Sequence, residues 1–161
     1  MGWKMKTIPL TQGYETIVDD EDYEELSKYK WHVGGVKGYT KYAQRKIRIN
    51  GKRTSISMHV VILASPLGFE VDHKDGNGLN NTKENLRSVK HSDNCKNRKK
   101  RKDSTQTFKG IRKRKNGTWR ARIYSNGNKI IIGSFQNEFD AASAYDRAAI
   151  KYHGEFAKTN F

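Results

Sequence analysis

The pattern of apolar and polar residues predicts three successive stretches of secondary structure. In residues 8–58, the segment YETIVD predicts a short strand, and EDYEELSKY predicts a helix whose early acidic residues suit the helix dipole. Residues 40–49 predict a strand, Asn50-Gly51 is typical of a two-residue hairpin turn, and KRTSISM predicts the returning strand. A short apolar helix, MHVVILA, then ends near Pro66.

The second stretch, residues 69–100, predicts two strands and a helix. FEVDH and NLRSV are the strands, and the segment DGNGLNN between them consists of turn-forming residues. Ser92 or Asp93 then caps a helix that carries Asn94 in its first turn. This order brings the end of the first strand and the start of the helix to the same point.

The third stretch, residues 108–161, predicts three strands and one helix. Asn-Gly turns at 116–117 and 126–127 separate the strands, and a helix follows over 137–152 with Asn137 as its cap. In the middle strand apolar and polar side chains alternate, with Trp119, Ala121 and Ile123 on one face and Arg120, Arg122 and Tyr124 on the other. One face therefore suits a core and the other a charged partner.

Composition adds a strong basic charge to this α+β pattern. The 161 residues carry a formal net charge of +15, and 34% of them are hydrophobic, which suits two modest cores and a polyanionic partner. The single cysteine, Cys95, excludes an internal disulfide and a cysteine-rich zinc site. Without an apolar run of membrane-spanning length or a signal-peptide core, we expect a cytoplasmic, DNA-associated protein of a bacterial or phage-infected cell, with no membrane partner.

Four residues between positions 72 and 94 supply the chemistry of phosphodiester hydrolysis. Asp72 and Asn94 offer the oxygen ligands that a hard cation prefers. His73 can act as a base that titrates near neutral pH. The sequence VDHKDGNGLNNTKENLRSVKHSDN, which also contains Asn85, resembles the HNH nucleases of the phage and intron type.

This resemblance implies a role for each of these residues. His73 would activate the attacking water, and Asp72 and Asn94 would bind one divalent cation, Mg²⁺ or Mn²⁺. Asn85 would hold the loop that carries His73, although a plain turn residue is an alternative reading of Asn85. No structural zinc is expected. His59 at the start of the apolar helix is interpreted as a packed histidine or a substrate contact. His91 is interpreted as a solvated residue at the start of a helix, or as a contact to a phosphate or to the waters of the metal.

The last stretch resembles the APETALA2/ethylene-response type of DNA-binding domain of plants. KGIRKRKNGTWRARI, IIGSF and AASAYDRAA followed by HGEFAKTNF carry the likeness, whereas Ile131 replaces the usual tryptophan and Arg122 the usual glutamate. The plant target sequence therefore cannot be transferred. The predicted DNA-binding residues, in the basic run and on the sheet, are Lys99, Lys100, Arg101, Lys109, Arg112, Arg114, Arg120, Arg122 and Lys129.

These expectations combine into a nuclease domain over residues 1–100, with its core motif at 69–100, a basic linker at 101–107 and a DNA-binding domain at 108–161. The nuclease domain would have the strand–strand–helix metal fold, and the second domain a three-stranded antiparallel sheet packed on one helix. The predicted function is that of a site-specific endonuclease of the homing or mobile-element type. It would act on double-stranded DNA as a monomer or weak dimer, with no obligatory protein partner.

Two other functions remain open at the level of sequence. The chain could be a DNA-binding regulator with an inactive nuclease centre, but a decayed nuclease would be expected to lose at least one of its four motif residues. RNA binding is the weaker alternative, because the charged face shows no set of aromatic residues that would stack on single-stranded bases.

Overall fold

The computed structural model describes residues 4–35, 40–96 and 106–161, and its chain divides into two compact units. The first unit is Met1–Lys90 and the second is His91–Phe161. The segment that contains Asn94 is therefore grouped with the second unit, whereas the sequence placed it in a nuclease domain that ends at residue 100. Most of the predicted linker, residues 101–107, lies outside the described residues.

The first unit is a mixture of short helices and small antiparallel sheets, as the sequence predicted in outline. Its elements up to residue 63 are β1 (Met5–Pro9), β2 (Glu15–Asp19), α1 (Asp20–Ser27), β3 (His32–Gly34), β4 (Tyr42–Ile49), β5 (Lys52–Ser57) and α2 (Met58–Leu63). β1 pairs with β2, and β3, β4 and β5 form a second sheet in that order. β6 (Phe69–His73) and β7 (Leu86–Lys90) form a third, two-stranded sheet.

A small apolar core holds the first unit together. Val18 of β2, Ala43 of β4 and Met58 of α2 are fully buried, and they pack in one cluster with Leu26 and Trp31. Trp31 Nε1 also donates a hydrogen bond to the main-chain oxygen of Leu26 at 2.8 Å, which ties the end of α1 to this core. Full burial of a side chain the size of methionine contributes about 1.5–3 kcal/mol.

Asp19 fastens the loop between β6 and β7 to this core. Asp19 occupies the N-cap position of α1, but its side chain makes no capping hydrogen bond. Asp19 Oδ2 instead accepts from the main-chain nitrogen of Lys83 at 2.7 Å. The loop is fixed a second time where the nitrogen of Asn81 donates to the oxygen of Ile17 at 2.8 Å.

The second unit consists of a short helix, a three-stranded sheet and one long helix. These are α3 (His91–Lys96), β8 (Ile111–Lys113), β9 (Trp119–Ser125), β10 (Asn128–Phe135) and α4 (Glu138–His153), with the strands in the order β10-β9-β8. The predicted alternation in β9 is confirmed, since Ala121 and Ile123 are buried against α4 whereas Tyr124 is exposed. The Asn137 side chain caps α4 by accepting from Asp140 N at 2.8 Å.

The end of the chain is bonded to α4 and to the residue before the sheet. The buried carboxylate of Asp146 accepts hydrogen bonds from the main-chain nitrogens of Asn160 and Phe161 and from Asn160 Nδ2. Asn160 in turn accepts from the main-chain nitrogen of Lys109 at 2.7 Å. None of the helices in the described part of the chain is long and apolar enough to cross a membrane.

Candidate active site

β6 ends at Asp72, the predicted metal ligand, and His73, the predicted general base. The antiparallel register places Asp72 opposite Arg87 and His73 opposite Leu86. Asp72 is 8% exposed and His73 is 4% exposed. Buried polar side chains need hydrogen-bond partners, because an unsatisfied polar group in the interior costs about 1–3 kcal/mol. Those partners come from β7 and from the loop between the two strands.

Asn85 braces the loop that leaves His73. The Asp75 carboxylate accepts hydrogen bonds from Asn77 N, Asn80 Nδ2 and Asn85 Nδ2, at 2.7, 2.9 and 3.0 Å. Asn85 Oδ1 accepts from Asp75 N at 3.1 Å, and the main-chain oxygen of Asn85 accepts from Lys74 N at 2.9 Å. Burial raises the pKa of Asp75, but the bonds from Asn77, Asn80 and Asn85 outweigh it and hold the pKa below its ordinary value. Asn85 therefore contacts the residues directly after His73.

Asn81, which the sequence analysis did not single out, determines which nitrogen of His73 carries its proton. Thr16 Oγ1 donates to the main-chain oxygen of Leu79 at 2.8 Å, and Thr16 Oγ1 also accepts a hydrogen bond from Asn81 Nδ2 at 2.7 Å. Asn81 Oδ1 is thereby turned towards His73 Nε2, at 3.1 Å. Since Asn81 Oδ1 can only accept, Nε2 is the protonated nitrogen, and Nδ1 carries the lone pair of the neutral imidazole.

The surroundings of His73 favour its neutral form. Burial lowers the pKa of His73 below its ordinary value, and the bond with Asn81 and the charges of Asp75 and Asp72 only partly oppose this. A neutral imidazole is the form that can accept a proton from water at pH 7. His73 is thus a buried imidazole with a fixed tautomer and a lowered pKa.

Asp72 forms a buried ion pair with Arg87 on the neighbouring strand. Arg87 Nε and Nη2 both approach Asp72 Oδ2, at 3.0 and 2.8 Å. The two side chains are only 11% and 10% exposed, so the pair is shielded from water. The arginine holds the carboxylate in place at the end of β6. Arg87 was not predicted as a partner of Asp72, because an arginine in a β-strand carries no sign of the residue with which it pairs.

Asn94, the other predicted metal ligand, lies in α3. This helix begins at His91, one or two residues before the predicted cap, so Asn94 is its fourth residue. His91 Nε2 lies 3.6 Å from Cys95 Sγ. α3 belongs to the second unit. In the chain, Asn94 comes four residues after the end of β7. Within the described residues, no three His, Cys, Asp or Glu side chains form a cluster that could hold a metal ion.

The donor chemistry nevertheless fits a hard divalent cation. Asp72 provides a buried, charged carboxylate that is already held in position, and Asn94 provides an amide oxygen. Mg²⁺ binds through one or two such oxygens and keeps several of its own waters, so a cluster of three carboxylates or histidines is not required.

His59 packs beside His73, which sequence reasoning left open. The ring centroids of His59 and His73 lie 4.9 Å apart, and the Tyr42 ring lies 5.3 Å from His59 and 5.9 Å from His73. His59 Nδ1 is buried without a hydrogen-bond partner among the described residues. Burial, and then the charge of His73, lower the pKa of His59 to about 4. The His59 ring is therefore uncharged at physiological pH, and it packs against the His73 ring.

We expect the stability of the first unit to fall as the pH drops from about 6.5 to about 4. The folded state holds the pKa of His59 below its unfolded value, so the unfolded state binds more protons in this range. The stabilisation is fully present above pH 6.5 and is lost by an amount on the order of 3 kcal/mol at the acid end. Denaturant unfolding of wild type and His59→Gln between pH 4 and 7.5 measures the difference, and parallel curves would contradict the assignment.

Basic side chains cover one face of the sheet in the second unit. Arg112 of β8 lies directly opposite Arg120 of β9, and Arg122 lies opposite Ile131 of β10. A shallow cavity of about 480 Å³ over this surface is lined by basic residues and one amide, namely Arg112, Lys113, Arg114, Lys115, Asn116, Arg120 and Arg122. Lys129 lies on the same sheet, opposite Tyr124.

Lys109 differs from the other predicted DNA-binding residues. Lys109 Nζ is half-buried and donates to the main-chain oxygen of Lys96 at 3.0 Å, so it is not displayed on the sheet face. Burial, then the charge of Lys158, lower the pKa of Lys109 to about 8. Lys99, Lys100 and Arg101 lie outside the described residues.

The plant-type resemblance extends over part of the chain. An AP2/ERF and B3 domain-containing protein from Oryza sativa subsp. japonica is 44% identical over 54 residues, which are 34% of this chain and 15% of that protein. APETALA2-like protein 2 from Oryza sativa subsp. indica is 46% identical over 56 residues, or 34% of this chain and 13% of that protein. The likeness to these proteins is therefore confined to about a third of this chain.

The nuclease resemblance includes the segment that carries Asp72, His73, Asn85 and Asn94. Residues 64–96, which include β6, the loop, β7 and α3, match the family model of the HNH endonucleases. An uncharacterized HNH endonuclease of Acanthamoeba polyphaga mimivirus is 30% identical over 149 residues, which are 92% of this chain and 76% of that protein. The match extends over most of both proteins, far beyond the motif itself, and this chain belongs to the HNH endonuclease family.

Proposed function

We propose that this protein is a site-specific, divalent-metal-dependent DNA endonuclease of the homing or mobile-element type. The observation that carries the proposal is the chain of hydrogen bonds from Leu79 through Thr16 and Asn81 to His73. It holds a buried imidazole in one tautomer, in which Nδ1 is the nitrogen that can accept a proton.

In the proposed reaction, His73 Nδ1 accepts a proton from a water molecule, and the water oxygen attacks the scissile phosphorus. The bond from phosphorus to the leaving oxygen then breaks. Asn81 positions the ring through Nε2, and Asn85 keeps the loop behind His73 in place. The lowered pKa of His73 leaves the base neutral and ready at physiological pH.

Asp72 and Asn94 would hold the divalent cation, Mg²⁺ or Mn²⁺. A bound cation would supply positive charge to the scissile phosphate and its leaving oxygen. Arg87 holds the Asp72 carboxylate in position through their ion pair. With one such centre per chain, each encounter would cut one strand, so a double-strand break would need two chains or two successive cuts.

We propose that the basic sheet of the second unit recognises the DNA target sequence. A sheet can enter the major groove of DNA, where an arginine can donate two hydrogen bonds to guanine. Arg112, Arg120 and Arg122 line the shallow cavity on this face, whereas Lys109 would contribute little because its amine donates to the main-chain oxygen of Lys96.

Incubation of supercoiled plasmid with Mg²⁺ or Mn²⁺ tests the proposal. Conversion to open circles or linear DNA, abolished by a chelator that leaves the thermal unfolding transition intact, is the expected result. Sequencing of the new ends would then give the site and the number of strands cut. Tight DNA binding without any conversion would favour the alternative, a DNA-binding regulator with an inactive nuclease centre.

Arg122→Ala is expected to relax specificity at one or two base pairs, with a loss of about 1–3 kcal/mol of discrimination if the contact to guanine is bidentate. The measurement is a cleavage profile on a library of randomised targets. Arg147→Ala, an exposed arginine on α4, removes the same charge away from the sheet and serves as the control. Identical profiles for wild type and Arg122→Ala would contradict a base-reading role for Arg122.

A further inference from the structure

Beyond the end of β3, strands β4 and β5 continue as a two-stranded ribbon. β3 pairs only with residues 42–44 of β4, whereas β5 stays paired with β4 out to Ile49 and Lys52. Asn50 and Gly51 close the ribbon with φ angles of 48° and 76°, as in the tight turns that preserve strand twist. Ile49 is 54% exposed, so the core of the unit does not cover the tip.

This ribbon is basic and contains no acidic residue. Residues 41–57 include six basic side chains, which are Lys41, Arg45, Lys46, Arg48, Lys52 and Arg53. In the described part of the chain, no carboxylate forms an ion pair with Arg48, Lys52 or Arg53. Arg48 and Arg53 lie directly opposite each other across the strands. Like charges in that position destabilise a ribbon, and an anion bound there would relieve the repulsion.

The basic face of the ribbon is continuous with the face that borders the active site. Side chains alternate along a strand, so Tyr42, Lys46 and Arg48 share one face of β4. The cross-strand partner of Arg48 adds Arg53 to the same face. At the base of the ribbon the Tyr42 ring lies 5.9 Å from the His73 ring. The opposite face is used for packing there, since Ala43 is fully buried and Arg45 lies over the Tyr29 ring.

We propose that this ribbon is a DNA-binding element of the nuclease unit, which enters the major groove beside the cleaved bond through Lys46, Arg48 and Arg53. The major groove of B-form DNA is about 12 Å wide and admits a two-stranded ribbon. The proposal rests on the proposed function in one respect, which is that duplex DNA is the substrate.

The length of the ribbon sets how far its contacts extend. From Tyr42 to Ile49 the strand rises about 3.3 Å per residue, or about 23 Å in total. This span corresponds to about seven base pairs at 3.4 Å each. The ribbon tip therefore contacts phosphates and base edges on one flank, more than half a helical turn from the bond that His73 would hydrolyse.

The test compares two double variants of the full chain. Arg48→Ala/Arg53→Ala removes two positive charges from the ribbon, and Arg147→Ala/Lys151→Ala removes two exposed positive charges from α4 as the matched control. Fluorescence anisotropy measures binding to a mixed-sequence 30-base-pair duplex, without divalent cation, across a salt series. The ribbon variant should bind roughly tenfold more weakly, with a salt slope smaller by about 1.8, because each lost phosphate contact contributes about 0.9.

The α4 control variant should keep the wild-type salt slope of DNA binding. Arg48→Lys/Arg53→Lys should also have a salt slope close to that of the wild type, because this variant keeps both positive charges. Circular dichroism and thermal unfolding establish that each variant is folded. A wild-type slope for Arg48→Ala/Arg53→Ala, or an equal loss in the α4 control, would overturn the proposal. Double-stranded RNA that competes as well as DNA would also overturn it, since the major groove of A-form RNA is too narrow for a ribbon.

Plasmid cleavage, measured in parallel, separates this proposal from the proposed nuclease function. A wild-type protein that shows the expected binding differences but cleaves no plasmid would leave the ribbon assignment intact and refute the endonuclease. A wild-type protein that cleaves, together with a ribbon variant of unchanged affinity and slope, would refute the ribbon alone.

Discussion

Replacing His73 with alanine is expected to reduce plasmid cleavage by about 10²–10⁴-fold, which is the usual contribution of a general base. Affinity for duplex DNA should remain close to that of the wild type, because it depends on the basic surfaces and not on one buried imidazole. Initial nicking rates and binding anisotropy measure the two quantities on the same preparation. His32→Ala, a change at another histidine of the first unit in β3, is the matched control and should retain activity.

Asn81→Ala extends this experiment to the residue that positions the base. Asn81 accepts from His73 Nε2, so its loss should lower the cleavage rate while leaving the imidazole present. In a double-mutant cycle, adding Asn81→Ala to His73→Ala should have little further effect on the rate, because the two side chains act as one unit. Near-wild-type cleavage by His73→Ala would contradict the assignment of the base. Additive losses in the double variant would show that Asn81 acts elsewhere.

Sequence reasoning predicted the elements whose signals are local. Asn50-Gly51 has the positive φ angles that its turn type requires, and β6 spans Phe69–His73 as the FEVDH segment predicted. Asn137 caps α4 through the predicted side-chain bond. Each of these depends on a few neighbouring residues, whose conformational preferences are visible in the chain itself.

The parts that were missed depend on partners distant in the chain. β1 has only Ile8 buried among its five residues, and β3 has just three residues, so neither carries a clear alternation. Asn81 looks like one more asparagine in a turn, and its role depends on Thr16, 65 residues earlier. The ion pair of Asp72 with Arg87 depends on the register of β6 with β7, which the turn residues do not specify.

The ion pair between Asp72 and Arg87 is expected to make a large contribution to the stability of the first unit. Arg87→Ala is expected to lower the free energy of unfolding, in the absence of divalent cations, by about 3–5 kcal/mol, because it leaves the Asp72 carboxylate buried without its arginine. Asp72→Asn/Arg87→Ala, which removes both charges, should be less destabilised than Arg87→Ala alone. Lys90→Ala, at an exposed position on the same strand, is the control and should change stability by less than about 0.5 kcal/mol.

Addition of Mg²⁺ or Mn²⁺ then tests whether Asp72 binds the cation. A ligand that binds only the folded state stabilises it by an amount that rises with its affinity, and an Asp72 carboxylate released from Arg87 should bind a cation more tightly. The increase in unfolding temperature on adding the cation should therefore be larger for Arg87→Ala than for wild type, and absent for Asp72→Asn/Arg87→Ala. Equal increases in all three proteins would mean that the cation binds away from Asp72, and that the arginine serves only to neutralise a buried acid.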